Sequence, residues 1–535
     1  MAKWIRNVSY DQVALIPDDM RQWLPENHLA WRIIAVTGEM DLSAFRAAYR
    51  QDGQGQAPYD PAMMLALIIY CLCKSVRSSR KMAAACTDDV GCRVICGGPG
   101  PSHKTIAEVR RRHQDAIMDL FPQVLGILAA EGALAGHSCA IDGSPVEGNA
   151  SRFGNLTGEQ LEARIAAAQD KLEAAAAEWL AGQPAQPRLD DGGDGARDDD
   201  SGDDDDGAGP PAGMPRKITA QAAKLARLRR ARDRLAARAG APGGAQDRAD
   251  GSRREAGRLQ ADLEAAEAAN DALMARYEAM TAAGQKWPRG SKPVGKDKNA
   301  RIIRKRDAAR RARERAGAAA EKAAVLIAEK LKVNPADPGT RLLPAKNGGG
   351  WIQGWNLQLA ALRNQVLLAV ELHDSPADAG ALVPLVRAVM AVLARASRMP
   401  GAASLRDLVR AWLADSGYAS AASFGELAGL LLLVAVTSEG TQTGRRHGGG
   451  RDTPEAWKDM NARLATPAGK ALYKRRAAQV EPAFAQYFAR FGRAFLYRGH
   501  DAVRAEATLY GTVHNICKLF AYRDRTARKK APAPA

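Results

Sequence analysis

One long interruption constrains this chain more than any other feature. The segment HSCAIDGSPVEGNAS (137–151) opens with a short apolar run ending in Asp142-Gly143, the pattern of a buried strand that closes on an acidic residue. Comparable runs return only far downstream: LLAVELH (367–373), LVRAWLADSGY (408–418) and GLLLLVAVTS (429–438). Helical sequence separates them, notably Asp378–Ala396, so the alternation predicts an α/β sheet. Residues 155–334 must then be housed outside that sheet, as an insertion.

The insertion reads as helical. Leu156, Leu161, Ile165, Leu172 and Leu180 mark one helix; Leu225, Leu228 and Leu235, then Leu259, Leu263, Leu273 and Tyr277, mark others at near-heptad spacing. A coiled-coil-like arm is expected. An Asp- and Gly-rich tract at about 188–215 joins its parts and reads as a disordered linker; it lacks the glycine and terminal glutamate of an EF-hand loop. Between Arg188 and Gly207 there are ten Asp and two Arg, so this stretch carries −8 and the rest of the 535-residue chain +25. Lys286–Arg315 alone holds 13 basic residues against Asp297, Asp307 and Glu314. Such an excess points to a polyanion, and nucleic acid is the commonest. Contact of 286–315 with a phosphate backbone is favoured over a merely solvated face.

Residues 1–130 read as an all-α domain. Asp60-Pro61 looks like a cap followed by proline at the first helical position. From Ser78 a short helix, a turn at Thr87–Asp89 and a second short helix lead to a Gly-Pro break, after which Ser102 caps a helix running through Arg112. That last helix carries Lys104, Arg110, Arg111 and Arg112, with His113 behind it, and suits the recognition helix of a helix-turn-helix DNA-binding domain; a solvated basic face is the alternative. The seven cysteines (71, 73, 86, 92, 96, 139 and 517) match neither a zinc module nor a disulfide framework and read as reduced thiols. The apolar runs at Ala66–Cys73 and Ala428–Val436 are far shorter than the ~20 residues of a membrane helix. The amino terminus lacks a secretory apolar stretch, so a cytoplasmic, nucleoid-associated protein without a membrane partner is expected.

Chemistry has to be sought among carboxylates, because there is no Walker loop and no His-Glu-x-x-His. Asp142 and Asp415 each end an apolar run, and Glu481 lies in a basic, aromatic segment that reads as helical on either side of Pro482. Three carboxylates meeting at one sheet edge would suit Mg²⁺ or Mn²⁺, and a pair of such ions about 4 Å apart serves phosphodiester cleavage. Taken singly, a strand-end Asp can equally cap a helix.

These residues resemble the DDE-class transposases of bacterial insertion sequences. CAIDGSPVEGNAS is similar to the strand bearing the first catalytic Asp of that family, with Ser144 where Thr is usual. NPADPGTRLL followed by GWNLQLA resembles the segment leading to the second, with Trp355 in place of the usual Tyr. LADSGYAS resembles the Asp-x-Gly-Tyr signature, YKRRAAQVEPAF the Tyr…Arg…Val-Glu-Pro-x-Phe segment, and TVHNICKL the closing helix. The resemblance implies an RNase H-like catalytic core (137–154 and 335–525) beside the amino-terminal domain (1–130) and the insertion (155–334), with a basic tail at 526–535. It implies Asp142, Asp415 and Glu481 as catalytic ligands of two Mg²⁺ or Mn²⁺ ions, and Tyr473 with Arg475 or Arg476 as DNA phosphate contacts. Phe488 stands where a Lys is expected, leaving Arg490 as the nearest cation; Arg498 completes the DNA-facing set. Asp337 and Asp374 are the rivals for the second ligand. The implied activity is binding of terminal inverted repeats, metal-dependent strand cleavage and strand transfer by a homodimer acting on double-stranded DNA. A nuclease without strand transfer and a non-catalytic DNA-binding derivative are the alternatives.

Overall fold

The computed structural model describes residues 19–49, 58–181, 215–240, 245–288, 291–345, 350–373, 375–378, 380–402, 405–436 and 455–530. The Asp-rich linker (188–214), Asp374 and residues 531–535 of the basic tail lie outside them. The chain divides into two compact units, residues 1–149 with 341–535, and residues 150–340.

The first unit is built on a six-stranded mixed sheet. Its strands are β1 (Ser138–Glu147), β2 (Arg341–Pro344), β3 (Trp351–Ala361), β4 (Leu367–His373), β5 (Ala411–Ala414) and β6 (Leu432–Val434). β1 pairs antiparallel with β3, whose other edge takes β2 and then β4, also antiparallel. On its far side β1 pairs parallel with β5, and β5 parallel with β6. The strand that starts the sheet therefore lies at its centre, where near-continuous apolar residues such as Cys139, Ala140 and Ile141 are fully buried. β3 was legible only as a family-like segment, because its glycine and amides break the apolar alternation; the other runs foreseen as strands contain β4, β5 and β6.

Helices cover the sheet and share one hydrophobic core with it. The amino-terminal helices include α1 (Pro61–Cys73), α2 (His103–Arg112) and α3 (Gln114–Ala130). Asp60 caps α1 ahead of Pro61, and the side chains of Ser78 and Ser102 cap the two helices they precede. α3 buries Phe121, Val124 and Leu125 in the same core as β3 and β4, and the described residues of 19–130 fall in one compact unit with the sheet.

The insertion forms the second unit. Its helices are α4 (Gly158–Ala181), α5 (Arg216–Gly240), α6 (Ala245–Ala282) and α7 (Ala300–Val325), with a two-stranded ribbon of Leu156–Thr157 and Lys332–Val333. Leu161 and Ile165 of α4 close on Leu225, Leu228 and Leu235 of α5. Leu263 of α6 packs on Ile302 and Ala309 of α7. The remaining helices, all in the first unit, include α8 (Leu382–Ala396), α9 (Arg476–Phe491) and α10 (His500–Lys530). α9 runs unbroken through Pro482, and residues 526–530 of the expected tail continue α10. The side-chain amide of Asn515 on α10 exchanges two hydrogen bonds with the backbone of Leu367, covering the edge of β4. Among the described residues no helix is long and apolar enough to cross a membrane.

Candidate active site

The sheet register brings the first two carboxylates together. Ala140 on β1 lies opposite Leu413 on the parallel strand β5. Asp142 and Asp415 each follow two residues beyond that pair, Asp142 still within β1 and Asp415 just past the end of β5, so both lie at the same end of neighbouring parallel strands. Asp415 leaves β5 and caps a short turn, accepting from the Gly417 amide at 2.9 Å. The capping reading of this residue and the ligand reading are thus compatible.

α9 approaches from the Asp142 face. Gln479 donates to the Ser138 hydroxyl at 2.9 Å, and Ser138 shares a face with Asp142 because strand residues alternate. One turn earlier Arg476 Nη1 stands 3.8 Å from Asp142 Oδ2, both side chains being mostly buried. Tyr473 packs next to them: burial raises its hydroxyl pKa, Arg476 opposes that rise and Asp415 adds to it. Of the two arginines the sequence offered, Arg476 reaches the carboxylate and Arg475 is exposed at the start of the helix. Glu481 lies on the same helix with an exposed side chain. Among the described residues no three Asp, Glu, His or Cys side chains are gathered closely enough to hold a metal ion.

The opposite face holds a residue that sequence reasoning missed. Asp378 was expected to begin a helix, but α8 starts at Leu382. Asp378 instead turns its carboxylate onto two amides of β3, accepting from Asn356 at 2.9 Å and Gln358 at 2.8 Å. The Tyr418 hydroxyl, in the turn behind Asp415, donates to the Gln358 side-chain oxygen. Gly143, next to Asp142, lies directly over this network, and a Cβ there would collide with Asp378 and Gln358. The glycine of Asp-Gly is therefore required by a close approach. Burial pushes the Tyr418 hydroxyl pKa far up, and Asp378, Asp142 and Asp415 push it further against Arg476. One buried phenol thus senses all three carboxylates. The only advance signal was the polar pair Asn356 and Gln358 in an apolar run, since buried amides require partners.

Other expected sites resolve differently. Asp337, a rival ligand, is fully buried in the insertion unit, where it accepts from the Gly339 amide as a turn former. On α2, Lys104, Arg111 and Arg112 are exposed, and Arg111 pairs with Glu108 at 2.8 Å. Arg110 is a correction: it is 4% exposed, donates to the Arg77 carbonyl at 2.9 Å and lies over the Tyr497 ring. His113 is likewise buried, between Phe45 and Tyr49, and burial lowers its pKa. The helix is amphipathic, and these positions fall on its core stripe. Arg498 donates to the Asn149 carbonyl at 2.6 Å beyond the end of β1. Arg490 lines a cavity with Lys518 and His514. Phe488, where a Lys was expected, stacks on Phe484. In the basic segment, Arg306 pairs with Glu267 and Asp297, and Arg315 with Glu255, so part of its charge is neutralised within the insertion.

Two family profiles match the chain: a transposase domain (DUF772) over residues 18–112 and a transposase DDE domain over residues 439–520. The two matches together support an insertion-sequence transposase of the DDE type. The second match contains Tyr473, Arg476 and Glu481, whereas Asp142 and Asp415 lie outside both segments. No curated protein and no solved structure gives a significant match. DDE transposases act on DNA and in general use divalent metal ions.

Proposed function

We propose that this transposase binds the terminal inverted repeats of its insertion sequence, cleaves the DNA strands there and joins the freed 3′-hydroxyls to target DNA. The observation that carries the reading is that Asp142 and Asp415 lie at the same end of adjacent parallel strands, with Arg476 beside Asp142. The strand order, three antiparallel strands followed by two parallel to the first, supports an RNase H-like core.

The donors suit a hard divalent cation by type, because Asp142, Asp415 and Glu481 offer only carboxylate oxygens, although Glu481 is exposed and not gathered with the other two in this structure. These three residues would hold Mg²⁺ or Mn²⁺, which when bound polarises the attacking oxygen and stabilises the leaving one. The protein's own contributions are positional. Arg476 offsets negative charge at Asp142 and is placed to meet a phosphate oxygen, with Tyr473 orienting it. The Asp378, Gln358 and Tyr418 network braces both strand ends from the other face, so the carboxylates need not reorganise when DNA arrives. The exposed cations Lys104, Arg112 and Arg475, with those of 286–315, supply the phosphate contacts that hold the duplex. Joining requires two ends, so the acting form is a dimer.

An excision assay tests this. A reporter flanked by the element's own ends is exposed to the wild-type protein and to Asp415→Ala. Donor loss with repaired junctions in wild type alone is expected; equal loss with both would move the active site elsewhere. Cleavage without any joined product would restrict the chain to hydrolysis.

A further inference from the structure

We propose that Cys73 and Cys517 form a reversible disulfide, making them an oxidation site that fastens α1 to α10. Their sulfurs lie 3.7 Å apart although 444 positions separate them in the chain. Cys73 falls in the first transposase match and Cys517 in the second, so the bond would join the two matched segments covalently.

Three features set this pair apart from the other thiols. First, both side chains are only partly buried, whereas each of the other close thiol pairs, Cys71 with Cys92 and Cys86 with Cys96, has at least one buried member. Second, both line a cavity of about 420 Å³ that also receives Arg490, Lys518 and His514, giving a small oxidant room at the sulfurs. Third, the surroundings favour a thiolate at one member of the pair. The hydrogen bond between the two sulfurs and the positive charge of Arg490, Arg32 and Lys518 hold the Cys517 pKa down at about 7. Cys73 is pushed well up by the same hydrogen bond and by burial, so it remains the proton-bearing partner. The contacts Cys71–Cys92 and Cys86–Cys96, at 3.8 and 3.9 Å, lack this environment: the lowering at Cys86 comes only from other thiols, and Asp89 opposes it.

The oxidant is a hydroperoxide. The Cys517 thiolate attacks one peroxide oxygen and the O–O bond breaks, leaving a sulfenic acid and a hydroxide that takes up a proton as water. The Cys73 sulfur then displaces the sulfenic hydroxyl, its thiol proton leaving with that hydroxyl as a second water. The two thiols have given up two electrons, and the peroxide has accepted them. A dithiol reverses the bond by exchange.

The full-length protein is treated with increasing hydrogen peroxide, alkylated, and examined by non-reducing electrophoresis and peptide mass spectrometry. The expected result is a faster-migrating band, reversed by dithiothreitol, whose first cross-linked peptide joins Cys73 to Cys517. In Cys73→Ser, and in Cys73→Ala should the serine disturb folding, the band is lost and Cys517 becomes trappable by dimedone. A first bridge between Cys71 and Cys92 or between Cys86 and Cys96 would overturn the proposal. So would oxidation of Cys517 in the wild type with Cys73 still free to alkylate. Because the mapping on wild type decides by itself, a misfolded variant leaves the outcome intact, and none of these readouts depends on the assignment of the DNA chemistry.

Discussion

The sheet unit and the insertion bury different things. Around the sheet the core holds Trp355, Trp412, Tyr418, Tyr487 and Tyr510, and with them buried amides and carboxylates: Asn356, Gln358, Asn515 and Glu506. Each needs a partner, near or far in the chain: Glu506 accepts from the backbone amides of Leu496 and Tyr497 and from the Tyr510 hydroxyl, whereas Asn515 bonds the backbone of Leu367, 148 positions away. The insertion buries leucine, isoleucine and alanine stripes between neighbouring helices, and its charges pair locally on the surface. It buries polar groups chiefly near the ribbon, Asn334, Asp337 and Thr340 among them, and Arg238, 8% exposed, donates its guanidinium to a cluster of carbonyls including that of Thr340 at 2.8 Å. The contrast shows where specificity resides. Helical stripes tolerate variation, whereas a polar network around a reactive centre depends on every member.

The largest effect is expected at the carboxylates. Asp415→Ala should lower excision by at least ~10³-fold, about 4 kcal/mol of barrier, while leaving binding of element ends intact. Loss of end binding in parallel, measured by mobility shift, would mean that the residue holds the sheet together instead.

Acid should separate the two regions next. Burial lowers the pKa of His514, on α10, from 6.5 to about 4. The unfolded chain therefore binds that proton first, and stability, constant above pH ~6.5, declines as the pH falls toward 4, by up to ~3 kcal/mol. His514→Gln should flatten this decline in a denaturant titration series. A variant with the wild-type pH dependence would remove His514 from the account.

A single methyl group sharpens the comparison further. Gly143→Ala would press on Asp378 and Gln358 and should destabilise the sheet unit by ~1–3 kcal/mol. Gly257→Ala lies within α6 with open space at its Cβ position and should stabilise the insertion by ~0.5–1 kcal/mol. Thermal unfolding that moved both in the same direction would break the contrast. Smallest of all, Arg306→Ala should leave the melting temperature within error of wild type despite losing two ion pairs, because that side chain is solvated.

The sequence by itself determined a good deal. Leucine spacing placed α4, α5 and α6 of the insertion, though not α7, which holds no leucine, and it counted Leu156 as helical where the structure has a ribbon strand; capping residues such as Ser78 and Ser102 placed helix starts, and apolar runs located β1, β4, β5 and β6, since these signals are set by neighbours a few residues apart. The family likeness of LADSGYAS and YKRRAAQVEPAF was also legible, and it pointed to Asp415, Tyr473 and Arg476, which the fold draws into one neighbourhood. Only the tertiary structure decided which face each cation takes: Arg110 and Arg112 are two positions apart on one helix, yet one is sealed against Tyr497 and the other meets solvent. It alone brought Asp378 to Asn356 and Gln358, and Cys73 to Cys517. Such contacts cross the sheet or hundreds of positions of chain, and no local periodicity encodes them; they follow from strand order and register, which packing of the whole unit selects.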